Sequence, residues 1–532
     1  MGVVLVSSFC LLCLAVSTVA IPKEGQWSAQ GWTITGKPSP GHEVKLTFAI
    51  KQHNPDWLKD KLKAVSYPDS PHYTDYMNFD EIAQYVYGKP ESVKVVTEAL
   101  ESMGANKIDF TIGRDFVVAW VPFEAAEKFF QANFLEFKHN EISGLNIVSS
   151  LYYTVPLSLK KHIDFVSGFI IFPGYPSKPV EKKPVGGDKL IIVTPKIIAE
   201  KYNTSDYVST NKNNSQAVAA FLKQYFDPTD LKKFQELYKL PVKAIAKVVG
   251  KNVDDDPGAE ANLDVQYISA TGRNVDTWFI SISTYNGKQE DFLSWITAQV
   301  NTTDSPWVHS ASYGDEENSI DVDYANRVDN EFMKFGISGR TVLFASGDSG
   351  ADCGTGGKYT PEWPTSSPYI TAVGGTTSLT SVWSEGGGGF SNVFPMPEYQ
   401  KAVVEAYLKG NDVPNKDLFN TSGRAYPDVS AFSTDFIIID DGIPAPVSGT
   451  SCAAPTFAGI VASLNDVLLN KGMKTLGFLN PLLYMQLQGK GFFDVTDGSN
   501  GGFGCKGFNA VSGWDPASGW GNPNFGLLKD LV

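Results

Sequence analysis

Histidine is scarce in this chain. Its 532 residues include only 6 histidines, and five of them (His42, His53, His72, His139 and His162) fall in the first third. His309 alone serves the rest, so a nucleophile there that relies on imidazole as its base has one candidate. Cysteine is nearly as sparse, with 5 residues: Cys10, Cys13, Cys353, Cys452 and Cys505. Lys/Arg-rich blocks are missing altogether, and the net charge of −14 argues against phosphate-backbone binding and hence against a nucleic-acid partner. Beyond the N-terminus no apolar run approaches the length of a membrane span.

Residues 1–20 carry no charge, have an apolar centre from Cys10 to Val16 and end Thr18-Val19-Ala20. The run is too short for an anchor and reads as a secretory signal cleaved near Ala20, although it lacks the usual early Lys or Arg. Four sequons at Asn203, Asn213, Asn301 and Asn420 agree with a secretory route. Cys10 and Cys13 leave with the signal, and an oxidising compartment allows one disulfide among the other three. The favoured pair is Cys353–Cys505, because Cys452 stands at an apolar helix start beside Ser451 and reads as a small buried residue.

What is abundant is core. Hydrophobic residues make up 42% and charged residues 19%, the profile of a globular chain long enough for about two or three domains. A Pro/Gly-rich stretch at 173–188 (Pro173-Gly174-Tyr175-Pro176 through Gly186-Gly187-Asp188) is the clearest linker. It separates a nearly neutral part, 21–172, from 189–532, which carries almost all the negative charge. The first part mixes strand-like runs (Val44–Ile50, Phe116–Val121) with helical ones (Trp57–Val65, Ser92–Met103), which predicts a small α/β domain. In the second, a helix marked by Val322, Ala325, Val328, Phe332 and Phe335 precedes the buried-strand run Thr341–Ala345 and then Ser346-Gly347-Asp348. That alternation predicts a parallel sheet with helices on both faces and a site at the strands' C-terminal ends.

The most telling segment is Ser448-Gly449-Thr450-Ser451, followed by Cys452-Ala453-Ala454-Pro455 and by apolar residues at helical spacing from Phe457 to Leu468. Gly449 permits a tight entry, Pro455 suits a first helical turn, and Ser451 then stands at the positive end of the helix dipole. A serine hydroxyl needs a base. Glu260 and Asp264, at i and i+4 in a helical context, rise about 6 Å along one face, close enough to couple their titration. On spacing alone, a solvated acidic face is the commoner meaning of such a pair. Asp348 reads as a helix cap, as a cation ligand, or as a protonated carboxyl that donates to a developing oxyanion. The run Gly386–Gly389 suits either backbone contact with an extended ligand or a plain flexible loop.

Taken together, Ser448-Gly449-Thr450-Ser451, Glu260 and Asp264 in Glu-Ala-Asn-Leu-Asp-Val-Gln-Tyr, Ser312-Tyr313-Gly314-Asp315, and Phe344-Ala345-Ser346-Gly347-Asp348-Ser349-Gly350 resemble the sedolisin family of serine-carboxyl peptidases. The resemblance covers nearly the whole chain after the signal. It implies a subtilisin-like α/β catalytic domain behind an α/β propeptide, with activation by cleavage near Asp188/Lys189. It also implies Ser451 as nucleophile, Glu260 as its base, Asp264 as the residue that orients Glu260, and Asp348 as oxyanion donor, with Asp315 able to tune Asp348. One structural Ca2+ is implied near the C-terminus, on the carboxylates of Asp494 and Asp515 and the carbonyls of Val495, Val511 and Gly513. The expected activity is removal of tripeptides from free N-termini of peptides or unfolded proteins in acid, in the lysosome or outside the cell. An endopeptidase of the same family, a non-catalytic peptide-binding glycoprotein, and a subtilisin-type enzyme using His309 are the competing readings.

Overall fold

The computed structural model describes residues 31–140, 146–171, 192–204, 207–282, 285–286, 289–354, 357–502 and 504–532. The signal at 1–20 and the linker with its cleavage position at 173–189 lie outside them. The described chain forms two compact units.

The first unit takes its residues from three stretches: up to Lys51, Gly88–Phe110 and Arg114–Phe172. Its centre is an antiparallel four-stranded sheet in the order Lys107–Phe110, Phe116–Pro122, Glu43–Ile50, Ile163–Ser167. Leu46, Phe48, Val96, Leu100, Phe130 and Phe169 form its core. The helix Pro90–Ser102 contributes Val93, Val96 and Leu100, the i, i+3, i+7 stripe that its sequence pattern predicts.

The second unit comprises the described chain from Ile192 onward together with Gln52–Tyr87 and Thr111–Gly113. The predicted helix near Trp57–Val65 forms as α1 (Trp57–Ser66), yet it packs here and not with the rest of the N-terminal part. The cause is a run of apolar contacts: α1 buries Leu58, Leu62 and Val65, and Phe79 packs at a tilt against Phe335 with ring centroids 5.5 Å apart. The backbone follows, as Met77 N–H donates to the Ile337 carbonyl at 3.1 Å.

Seven parallel strands build the central sheet: β1 (Ser215–Ala220), β2 (Lys247–Val249), β3 (Asp276–Ser281), β4 (Val308–Ala311), β5 (Thr341–Ala345), β6 (Thr371–Thr376) and β7 (Val429–Phe432). Their spatial order is β2-β3-β1-β4-β5-β6-β7, and every pairing is parallel. Strands β4 to β7 are buried along their whole length, as a sheet covered on both faces requires. Three helices matter most: α2 (Ala259–Thr271), α3 (Val322–Ile337) and α4 (Thr450–Asn470).

Contrary to the expectation that no later run approaches a membrane span, α4 is the one described helix long and apolar enough to cross a membrane; it is the core helix of this unit and is almost wholly buried. It lies close against α2. A Cβ added to Gly459 would come within 2.1 Å of Thr271 Oγ1 and 2.6 Å of the Ile268 carbonyl, so only glycine fits. Hydrogen bonds lock that approach: Thr271 Oγ1 donates to the Thr456 carbonyl at 2.9 Å, and Ser463 Oγ to the Thr271 carbonyl at 3.0 Å. One local expectation is corrected. Pro455 sits inside α4, beyond its first turn, where its missing N–H withholds the helical hydrogen bond from the Ser451 carbonyl.

Candidate active site

Ser451 occupies the first turn of α4 and is only 7% exposed. Its helix enters through Gly449, where a Cβ would stand 2.9 Å from Asp348 Oδ2. Glu260 and Asp264 project from the opening turns of α2, 8% and 1% exposed. They are therefore not a solvated acidic face. Because α2 and α4 are clamped at Gly459, the pair is held beside the serine.

Electrostatics follow from that burial. Loss of solvent pushes the Glu260 carboxyl up to about 8; the Ser451 hydroxyl pulls it back by hydrogen bonding, the Asp348 charge adds to the rise, and Ser312 opposes it. Burial also lifts Asp264 well above the usual carboxylate range, the Glu260 charge lifts it further, and Ser312 Oγ, donating to Asp264 Oδ1 at 2.8 Å, opposes both. Glu260 Oε1 and Asp264 Oδ2 are buried without a hydrogen-bond partner among the described residues. Two such carboxyls ionise in steps that belong to the pair.

Asp348 follows β5 through Ser346-Gly347. Its Oδ1 accepts from Thr450 N–H at 2.7 Å and from Thr450 Oγ1 at 2.8 Å, which leaves Oδ2 at the Gly449 turn. Burial raises this carboxyl, the two Thr450 bonds oppose the rise, and the charge of Glu385 reinforces it. Asp315 bears instead on Glu362. Neither Glu385 nor Glu362 stands out in the sequence. The run at Gly386–Gly389 is no loose loop: Gly387 N–H donates to the Gly347 carbonyl at 2.7 Å, and a Cβ on Gly387 would lie 1.9 Å from the Ser346 carbonyl.

His309 lies elsewhere, buried in β4. Its Nε2 faces the Pro306 carbonyl at 2.9 Å and Ser305 Oγ at 3.3 Å, and its ring packs edge-on against Phe335. Burial, then the Arg340 charge, push it down to about 3, so it stays a neutral core residue.

Near the C-terminus, Asp494 Oδ2 accepts from Gly513 N–H at 3.0 Å and Ser512 Oγ at 3.3 Å. Asp515 Oδ2 accepts from Val511 N–H at 2.9 Å, and its Oδ1 takes the N–H groups of Ala517 and Ser518. Both aspartates thus meet at the 511–513 turn. Burial pushes Asp515 up to about 7, and the donors at Val511, Ala517 and Ser518 oppose that rise. Among the described residues no group of three or more His, Cys, Asp or Glu side chains forms a metal cluster. Cys353 and Cys505 are disulfide-bonded, with Cα atoms 5.6 Å apart, and Cys452 is free and buried.

A serine at a helix start, a buried carboxylate pair in place of histidine, and a third buried carboxyl at the end of a parallel strand define a class, the serine-carboxyl peptidases. Comparison with known proteins agrees. Residues 30–172 match the family model "Pro-kumamolisin, activation domain", and residues 246–475 match "Subtilase family". The chain is 40% identical to mouse (Mus musculus) tripeptidyl-peptidase 1 over 533 residues, 94% of each chain. To the human (Homo sapiens) protein it is 39% identical over 545 residues, 96% of this chain and 95% of that one. In fold it resembles the solved Pseudomonas sedolisin, a serine-carboxyl proteinase complexed with pseudo-iodotyrostatin, with a TM-score of 0.52, 24% identity and coverage of 63% of this chain and 96% of that one. The chain belongs to the sedolisin family, among the relatives of tripeptidyl-peptidase 1.

Proposed function

We propose that this peptidase removes tripeptides from unblocked N-termini in acid, with Ser451 as nucleophile, Glu260 as base, Asp264 as the residue that orients Glu260, and Asp348 as oxyanion donor. The observation that carries the assignment is a pair of buried carboxyls, Glu260 and Asp264, on a helix that Gly459 clamps against the helix beginning at the buried Ser451.

The chemistry follows from proton positions. When the Glu260–Asp264 pair holds one proton, the second carboxyl function is free to accept another. Ser451 Oγ attacks the scissile carbonyl carbon as its proton passes to Glu260. The carbonyl oxygen becomes an oxyanion between the Ser451 backbone N–H and a protonated Asp348, whose Oδ1 is already engaged by Thr450 and whose Oδ2 carries the proton. Each such donor is worth roughly 3–4 kcal/mol in the transition state. Glu260 then returns the proton to the leaving amine as the C–N bond breaks. Water, deprotonated by the same carboxylate, releases the acyl group and restores Ser451.

Tripeptide release is supported by 39–40% identity to tripeptidyl-peptidase 1 over nearly the full length of the chain. Synthesis as a zymogen, opened in the 173–188 linker, accords with the activation-domain match that ends at residue 172. A single Ca2+ at Asp494, Asp515 and the carbonyls of Val495, Val511 and Gly513 would offset the buried Asp515 charge and pin two loops, with no part in bond cleavage. The sequons and leader support passage through the secretory route to a lysosome or the exterior.

The test uses acid-activated protein and one peptide in two forms, with a free and with an acetylated N-terminus. Tripeptide appears by mass from the free form alone. Equal cleavage of both forms identifies an endopeptidase. Ser451→Ala abolishes cleavage of either; a variant that still cleaves refutes the nucleophile, and no cleavage by the wild-type chain leaves a peptide-binding scaffold.

A further inference from the structure

Glu362 lies against the oxyanion carboxyl and has no part in the chemistry above. It opens the short strand Glu362–Trp363, which pairs antiparallel with Asp315–Glu316 so that Glu316 faces Glu362. Its backbone is fixed: the N–H donates to Tyr426 Oη at 2.8 Å, and the carbonyl accepts from Thr365 Oγ1 and Ser366 N–H at 3.0 Å. The side chain, half-buried, ends between two glycines. A Cβ on Gly347 would fall 2.2 Å from Glu362 Oε1, and one on Gly314 would fall 3.6 Å from Oε2. Gly347 directly precedes Asp348, and Gly314 is in the loop that leaves β4 after Ser312.

This placement bears on the substrate. A scissile carbonyl oxygen directed at Asp348 brings the residue that carries it, the third of the released tripeptide, across Gly347. Two glycines offer that residue's side chain bare backbone walls, and the Glu362 carboxyl lies between them. We propose that Glu362 recognises the side chain at this third position and selects a cationic one, lysine or arginine, by pairing with it. Four further acids act on the same carboxyl, in the order Asp348, Asp315, Asp352 and Glu316, and burial precedes them all in holding it well above its ordinary range. A cation there pairs with Glu362 and relieves its repulsion with Asp315, Asp352 and Glu316, whereas an aromatic side chain leaves that repulsion in place; Asp348, protonated as the oxyanion donor, takes no part.

The inference rests on the assignment of Ser451 and Asp348 above. Its test compares kcat/KM of the acid-activated full-length product on Ala-Ala-Arg, Ala-Ala-Lys and Ala-Ala-Phe coumarylamides. Wild type favours Arg and Lys over Phe, and Glu362→Gln lowers the Arg/Phe ratio about ten-fold or more, the scale on which an unmatched polar partner is rejected. A wild type that favours Phe overturns the proposal without any variant being made, and so does an Arg/Phe ratio unchanged in Glu362→Gln. Ser451→Ala separates the two layers: if it still cleaves these substrates, the catalytic assignment fails first.

Discussion

Asp348 is the residue at which burial, hydrogen bonding and catalysis meet, so its replacement gives the sharpest forecast. Oδ1 is committed to two Thr450 donors at 2.7 and 2.8 Å, and burial raises the carboxyl, so a proton bound to it goes to the uncommitted Oδ2. Alanine removes the donor and orphans the Thr450 N–H. The expected loss in kcat is ~10²–10³-fold, or roughly 3–4 kcal/mol, with a smaller change in KM because the oxyanion exists only after attack. Asparagine keeps the Thr450 bonds through its carbonyl and puts an NH2 donor in place of the Oδ2 hydroxyl. Asp348→Asn therefore retains part of what alanine loses.

The pH profile distinguishes this role from a structural one. A neutral Asp348 donates and an ionised one repels the oxyanion, so activity falls as pH rises through its elevated pKa. The low-pH limb belongs to the Glu260–Asp264 pair, which must lose one proton to act as a base. In Asp348→Asn the high-pH limb moves upward and the low-pH limb stays. Profiles of kcat/KM on a free tripeptidyl substrate measure both. An alanine variant within a few-fold of wild type, or an asparagine variant with an unmoved high-pH limb, refutes the oxyanion assignment.

Three further outcomes follow from other parts of the fold. Gly459→Ala puts a methyl into backbone of α2; it lowers the melting temperature by the equivalent of about 1–3 kcal/mol and cuts kcat by displacing Glu260 from Ser451, and unchanged kcat would mean that the helix clamp does not set the site. Asp329 is buried on α3, accepts from Ser367 Oγ at 2.6 Å, and is pushed from 3.8 up to about 8 chiefly by burial. Its folded pKa exceeds the unfolded one, so the stability it supports is full below that ordinary value and is lost as pH rises through about 8, at up to ~1.4 kcal/mol per pH unit. Asp329→Asn flattens the fall in melting temperature between acid and mildly alkaline buffer, and a slope equal to wild type contradicts the shift. Calcium at ~100 times its dissociation constant stabilises by about 2.7 kcal/mol, read as a higher melting temperature that EGTA reverses and Asp515→Asn abolishes; a melting temperature indifferent to both removes the proposed ion.

Much of this was legible one element at a time. The apolar run after Gly449-Thr450-Ser451 gives α4, and Thr341–Ala345 gives β5 with Asp348 just past its end. Their conjunction was not. Glu260 and Ser451 are far apart in sequence, and what joins them is Gly459 against Thr271 and Ile268, a close approach with no local signature. On spacing alone the i, i+4 acids of α2 suggested a wet face, because a helix buried nearly all round has no amphipathic stripe to reveal its environment. Glu362 and Glu385 were invisible for the same reason: each gains meaning only from the strand and turn that carry it to Asp348. Residues 52–87 lie within the activation-domain match at 30–172 yet pack with the second unit, and nothing in an apolar stripe such as Leu58-Leu62-Val65 names the surface it will cover.

The want of histidine can now be given a physical reason that goes beyond acidity. His309 shows that burial alone keeps an imidazole neutral in acid, down to about 3. An imidazole in place of Glu260, however, would face Asp264 and Asp348, and any negative charge on either would hold it protonated and unable to accept. Two carboxyls respond the other way. Each raises its neighbour, so the two protons leave in separate steps, and the singly protonated pair between those steps is the state that offers a basic oxygen to Ser451. The same burial raises Asp348 and so favours its protonated, donating form, and the base and the oxyanion donor draw on one cause. It follows that substituting histidine at 260 would not by itself free this enzyme from acid: once the pH passes the raised pKa of Asp348 the oxyanion loses its donor, however good the new base.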